Sequence, residues 1–290
     1  MPSLSKILLP VDFSERSISA ARYAKPIAAH FGSELILLHV HPLPQPALAP
    51  ADFGGVMLDE LYRDRGSRLT AELAAFLAEE LAGLNVRRVV QEGDPASSIV
   101  KFAHAELADL IVMPTHGHGP FRRFILGSNT AKVLHDADCP VWTGVHLESP
   151  PSTPELPFRS IVCAVDLGSH SAQVLQWAAW LQSEFGAGLT VLHVAHAVPD
   201  SPDALNSDWR RHLEEAGREE LEALQRAANV SSTRTLLEHG DPAHAICKAA
   251  KTYAADVVMI GRGSASGVFG RLRTNAYAII RQSPCPVVSV

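Results

Sequence analysis

Short apolar runs alternate with longer stretches in which apolar residues recur every three or four positions, and the alternation continues along the whole chain. A run of four to eight apolar residues between turn residues reads as a buried strand; a period near 3.6 reads as a helix. In the first half the pattern predicts strands over residues 6–11, 34–41, 86–91, 110–113 and 141–145. It predicts helices over 15–30, 58–81, 96–105 and 130–136, the third opened by Asp94-Pro95 as cap and first turn. Strands that are apolar on both faces and alternate with helices belong to a parallel sheet covered on both sides. Right-handed crossovers then give a doubly wound α/β fold.

The pattern is written twice. Residues 6–40 align without a gap on residues 160–194, so that Asp12 falls on Asp166 and Leu38-His39-Val40 on Leu192-His193-Val194. Phe31-Gly32 falls on Phe185-Gly186 and Gly93-Asp94-Pro95-Ala96 on Gly240-Asp241-Pro242-Ala243. Ala108-Asp109 and Cys139-Pro140-Val141 recur as Ala255-Asp256 and Cys285-Pro286-Val287. This is a tandem duplication, with one α/β domain over residues 1–146 and a second over 158–290. The join, residues 147–157, carries Pro150, Pro151, Pro154 and Pro157 and reads as a semi-stiff extended linker.

Composition narrows the partners. The chain has 290 residues, 47% of them hydrophobic, and a net charge of −6, which does not suit a general nucleic-acid binder. No apolar run approaches the roughly 20 residues of a membrane span, and no apolar signal core follows the start. A cytoplasmic protein that contacts neither membrane nor nucleic acid is expected. The four cysteines, Cys139, Cys163, Cys247 and Cys285, form no C-x-x-C pair and are expected to be buried, inert thiols.

Candidate chemistry gathers in residues 113–128, MPTHGHGPFRRFILGS, between a predicted strand and a predicted helix. Glycines let backbone N–H groups approach an anion, and a helix start adds unpaired donors. Ser128 stands where an N-cap is expected. A plain glycine turn with a serine cap would share this local sequence. What favours a site is convergence. In a sheet of order 3-2-1-4-5 the winding reverses between the first and fourth strands, and ligands bind beyond the strand ends at that point. Asp12 ends the first strand and the loop leaves the fourth. No Walker A loop and no G-x-S-x-G elbow occurs. Dedicated ATP hydrolysis is not signalled, although slow turnover is compatible with the residues. A second reading places a metal between His39, His41, His116 and His118, but no cysteine or paired carboxylate completes that set.

Together these residues resemble the universal stress protein family in its tandem form. Nucleotide-binding members carry Gly-x2-Gly-x9-Gly-Ser/Thr after the fourth strand; here Gly117, the nine residues 118–126 and Gly127-Ser128 match its last two thirds. Asp12 and Leu38-His39-Val40 match the family's first-strand Asp and second-strand ending. The resemblance implies five-stranded domains of the adenine nucleotide alpha hydrolase-like type. It implies ATP or another adenine nucleotide, with Mg2+ as a companion, and a regulatory role in stress response. Adenine would lie near Val11, Asp12, Val40 and Met113, and the phosphates on Gly117, Gly127, Ser128 and Asn129. Arg122 and Arg123 would be able to close on phosphate as forks.

Two departures bear on that expectation. The family's first glycine is Pro114, which has no N–H. In the second half Arg273 replaces the glycine before Thr274, so weak or absent binding is expected there. A module that binds no nucleotide and acts only through protein contacts is the alternative these departures motivate. Single-domain members of the family commonly pair through their last strands. The corresponding segments, 141–145 and 287–290, are expected to pair within this chain as a pseudo-dimer. The linker of eleven residues is long enough, spanning about 30 Å at roughly 3.1 Å per residue. The resemblance also admits a homodimer of tandem chains.

Overall fold

Lys6–Pro10 forms β1, which pairs in parallel with β2 (Glu34–His41) on one side and β4 (Leu110–Met113) on the other. The structure is a computed structural model, and it describes residues 3–42, 55–115, 126–145, 156–195, 207–230, 233–262 and 274–290. The other elements of the first half are α1 (Glu15–Phe31), α2 (Gly55–Ala75), β3 (Asn85–Glu92), α3 (Pro95–Glu106), α4 (Ser128–Asp136) and β5 (Val141–Thr143). The second half repeats them as β6 (Ser160–Val165), α5 (Ser171–Phe185), β7 (Gly188–Ala195), α6 (Ser207–Ala227) and β8 (Arg234–His239). It continues with α7 (Pro242–Thr252), β9 (Val257–Ile260), α8 (Thr274–Gln282) and β10 (Val287–Ser289).

Each half has the strand order read from the sequence, and the two join into one ten-stranded sheet, β3-β2-β1-β4-β5-β10-β9-β6-β7-β8. Alternation along each strand divides the core. Ile7 and Leu9 point to the layer shared with α1, while Leu8 points to the layer shared with α3 and α4, and all three are fully buried. The repeated sequence features do repeated jobs. Gly32 and Gly186 end α1 and α5 in the left-handed region, at φ 65° and 64°, where a side chain would be strained. Asp109 and Asp256 accept hydrogen bonds at 2.9 and 3.0 Å from the N–H groups of Lys6 and Ser160, which begin the two central strands.

Several boundaries differ from expectation by one to six residues, and two of them bear on the core and the site. The long second helix stops at Ala75, not near residue 81, because Leu77 takes φ 56° and turns the chain. Leu73, Leu77 and Leu81, spaced by four residues, are all buried on either side of that turn. The fourth helix starts at Ser128, two residues early, with Gly127 as its N-cap. Ser128 is therefore the first helical residue, not the cap.

The last strands do meet. β5 and β10 pair antiparallel, with Val141, Trp142 and Thr143 opposite Ser289, Val288 and Val287. Thr143 Oγ1 also donates to the Val287 carbonyl at 3.1 Å. Below this seam Phe31 of α1 stacks on Trp180 of α5 at 5.2 Å, and Phe158, just before β6, stacks on Trp142 of β5 at 5.8 Å. His30 Nε2 lies 2.9 Å from Glu184 Oε1 at the rim. The pairing removes two edges that would otherwise expose unpaired N–H and C=O groups.

Candidate functional site

The site region is built where β1 and β4 end. The pairing of Leu8 with Ile111, continued along both strands, sets Pro10 beside Met113. The pairing of Pro10 with Leu38, continued likewise, sets Asp12 level with Val40. Val11 and Met113 are buried, and Asp12 and Val40 are half-buried. Four of the residues expected around an adenine therefore share one end of three neighbouring strands.

Asp12 is held firmly. Its Oδ1 accepts from the Ser14 N–H at 3.1 Å, from the Ser14 hydroxyl at 2.5 Å and from the Ser17 hydroxyl at 2.6 Å. The Asp12 N–H donates in turn to Ser17 Oγ at 3.0 Å. Ser14 is the N-cap of α1, so the carboxylate is fastened to a helix start. The second half repeats the core of this device: Asp166 Oδ1 accepts from Ser171 Oγ and from the Gly168 N–H, both at 2.9 Å. Ser17 is a site residue that the sequence reading missed. Its signal was available, since a serine stands five residues after each repeated Asp. Arg16 adds a positive charge near Asp12; burial lowers its pKa and the Asp12 carboxylate opposes that shift.

The two ends of the expected phosphate loop, residues 113–115 and 126–129, are described. The loop is closed at its base by the Gly127 N–H, which donates to the Thr115 carbonyl at 2.8 Å. Thr130 Oγ1 donates to the Pro114 carbonyl at 3.0 Å and fixes α4 against the end of β4. The Gly127 N–H is thus committed to the protein. The first intrahelical bond of α4 runs from Ala131 to Gly127, so the N–H groups of Ser128 and Asn129 have no intrahelical acceptor. Both residues are exposed. The helix start therefore presents donors and the positive end of its dipole. Gly117, Arg122, Arg123, His116 and His118 lie outside the described residues, as does Arg273.

His39 is tied to the first strand. Its Nδ1 lies 2.9 Å from the Val11 carbonyl, and His193 repeats this with Val165 at the same distance. Phe13, at φ 62°, packs on the His39 ring at 4.4 Å. Among the described residues no group of three His, Cys, Asp or Glu side chains is placed to hold a metal ion. The cysteines are free: Cys163, Cys247 and Cys285 are buried and Cys139 is half-buried. Burial pushes the Cys163 and Cys285 thiols up to about 12, and those of Cys139 and Cys247 up to about 11. Among the described residues no helix is long and apolar enough to cross a membrane.

The fold and this crevice define a tandem doubly wound α/β protein with an exposed helix start at its topological switch point. The model of the universal stress protein family matches residues 4–143 and again residues 157–290, so the chain belongs to that family. A universal stress protein of Methanocaldococcus jannaschii is 35% identical over 136 residues, covering 47% of this chain and 79% of its own. Another from Mycolicibacterium smegmatis is 26% identical over 294 residues, covering 98% of this chain and 96% of its own. The crystal structure of a universal stress protein from Archaeoglobus fulgidus superposes with a TM-score of 0.70 at 24% identity, covering 99% of this chain and 96% of that one. The whole length of the chain therefore follows the tandem architecture, and the family places it among stress-response proteins.

Proposed function

We propose that the first half binds an adenine nucleotide, ATP foremost, and that the protein acts as a regulatory binding protein in stress response. The observation that carries this reading is the start of α4. Ser128 and Asn129 offer exposed N–H groups without intrahelical acceptors, beside the strand end that holds Val11, Asp12, Val40 and Met113. Phosphate would sit on those donors and on Gly117, and the adenine on the apolar strand ends. Gly127 would serve by its small size and its bond to Thr115. Mg2+ would travel with the phosphates, since Asp12 commits Oδ1 to Ser14 and Ser17. The role is binding; slow turnover is compatible with it. Domain limits of 1–146 and 158–290 follow from the repeat. Four free thiols fit a reducing, cytoplasmic setting. A homodimer of tandem chains is not needed to cover the last strands, because β5 and β10 cover each other.

Brief heating of the purified protein, followed by chromatography of the released small molecules, tests the reading. An adenine nucleotide in the supernatant supports it. A nucleotide-free protein that also fails to take up added ATP overturns it in favour of a module that works through protein contacts alone.

A further inference from the structure

The two halves are joined by more than their sheet. Because β5 and β10 run antiparallel, the carboxyl end of β9 lies near the place where α4 ends and β5 begins. Arg262, two residues beyond β9, crosses that gap. Its Nη1 donates to the carbonyls of Leu134 and Ala137 at 3.2 and 2.9 Å, and its Nη2 to the carbonyl of Cys139 at 2.9 Å. The side chain is buried, with Arg262 only 5% exposed. Its backbone is fixed too, by its N–H donating to the Val290 carbonyl at 3.1 Å.

Leu134 and Ala137 lie at the carboxyl end of α4, where helix carbonyls lack intrahelical donors and the dipole is negative. A planar guanidinium with several donors suits three converging carbonyls, and the low-dielectric setting strengthens each bond. In the first half the residue matching Arg262 is Thr115, whose short side chain is unable to span such a distance. The contact is therefore one-sided: the second half supplies it and the first half receives it.

We propose that Arg262 is a positioning residue for the anion site at the start of α4, so that the first half's site depends on the second half. The site part of this inference rests on the nucleotide reading above. The residue that follows β9 by two positions is, in this half, a clasp on the neighbouring half and not part of a phosphate cradle. This gives a second physical reason, besides Arg273, why the halves are unequal. α4 has nine residues and is about 14 Å long at 1.5 Å per residue, so fraying at one end reaches its start within three turns.

The test uses the full chain with Arg262→Met and Arg262→Lys. Amide hydrogen exchange is followed across α4 and, as an internal reference, across β1 and β6; ATP affinity is measured by calorimetry. In Arg262→Met, α4 amides are expected to exchange at least about tenfold faster, since bonds to a charged donor are lost, while β1 and β6 stay protected. ATP affinity falls about tenfold by the same loss. Arg262→Lys keeps the charge but fewer bonds and recovers part of both. Unchanged α4 exchange in Arg262→Met overturns the clasp. Faster exchange with unchanged ATP affinity overturns the positioning role. Equal loss of protection in α4, β1 and β6 means general destabilisation and also overturns it. If the wild-type chain binds no ATP, the nucleotide reading fails and the site part of this inference fails with it; the exchange data still decide the clasp.

Discussion

His39 and Val11 are joined by a hydrogen bond from the imidazole Nδ1 to the backbone carbonyl, 2.9 Å long. A carbonyl only accepts, so Nδ1 carries the proton. The same bond between His193 and Val165 locks the second strand of the other half to its first. Each histidine thus ties two strand ends together just where the crevice opens. The expected outcome is that His39→Phe and His193→Phe each destabilise the protein by about 1–2 kcal/mol, by leaving a carbonyl without its donor. Urea unfolding of both variants checks this. A large rise in the wild-type unfolding temperature on adding zinc, lost only in His39→Phe, would mean that His39 serves a metal after all.

His41 gives the fold a pH dependence. It is only 4% exposed, and its Nε2 lies 3.7 Å from Glu92 Oε1. Burial lowers its pKa from 6.5; Glu92 opposes that shift, while Arg65 and His39 add to it. A folded-state pKa below the unfolded one means that the unfolded chain takes up the proton first as pH falls. The stabilisation is therefore complete above 6.5 and is lost as pH falls through the lowered value. Urea unfolding at pH 7 and pH 5 should show a smaller loss of stability in His41→Phe than in the wild-type chain. An equal loss in both would remove His41 from the account.

The seam between β5 and β10 should show in amide exchange. Trp142 faces Val288 in the antiparallel register, and Trp142 is 3% exposed. In the full chain the amides of residues 141–143 should be well protected. Deleting residues 147–290 should expose the β5 edge and raise their exchange. Protection that survives in the truncated monomer would mean that another part of the first half covers that edge.

Much of the fold was legible because apolar strands and amphipathic helices have distinct periods, and because each element was written twice. Asp109 with Asp256 and Gly32 with Gly186 recur because each repeat needs the same strand start and helix end. Leu77 leaves helical geometry although Leu73, Leu77 and Leu81 keep a helical spacing and are all buried, so the apolar period did not reveal the turn. Ser128 was the expected cap, but the Ala131 N–H donates to the Gly127 carbonyl, which makes Gly127 the cap. The site was partly legible. Asp12 stood out by its repeat, whereas Ser17 was overlooked as one of several serines. Arg262 was unreadable as a clasp, since its partners lie in the other half and meet it only through an antiparallel seam.

On the reading proposed above, the start of α4 in the first half cradles the phosphates of an adenine nucleotide. Calorimetric titration with ATP of the wild-type chain and of Gly127→Arg tests it most directly. Gly127 is buried, and its N–H closes the loop on Thr115. An arginine there would place a large side chain at the helix start and disturb that closure. The expected result is one ATP per wild-type chain and no measurable binding to a Gly127→Arg variant whose unfolding midpoint shows it still folded. Wild-type affinity in the folded variant would contradict the account.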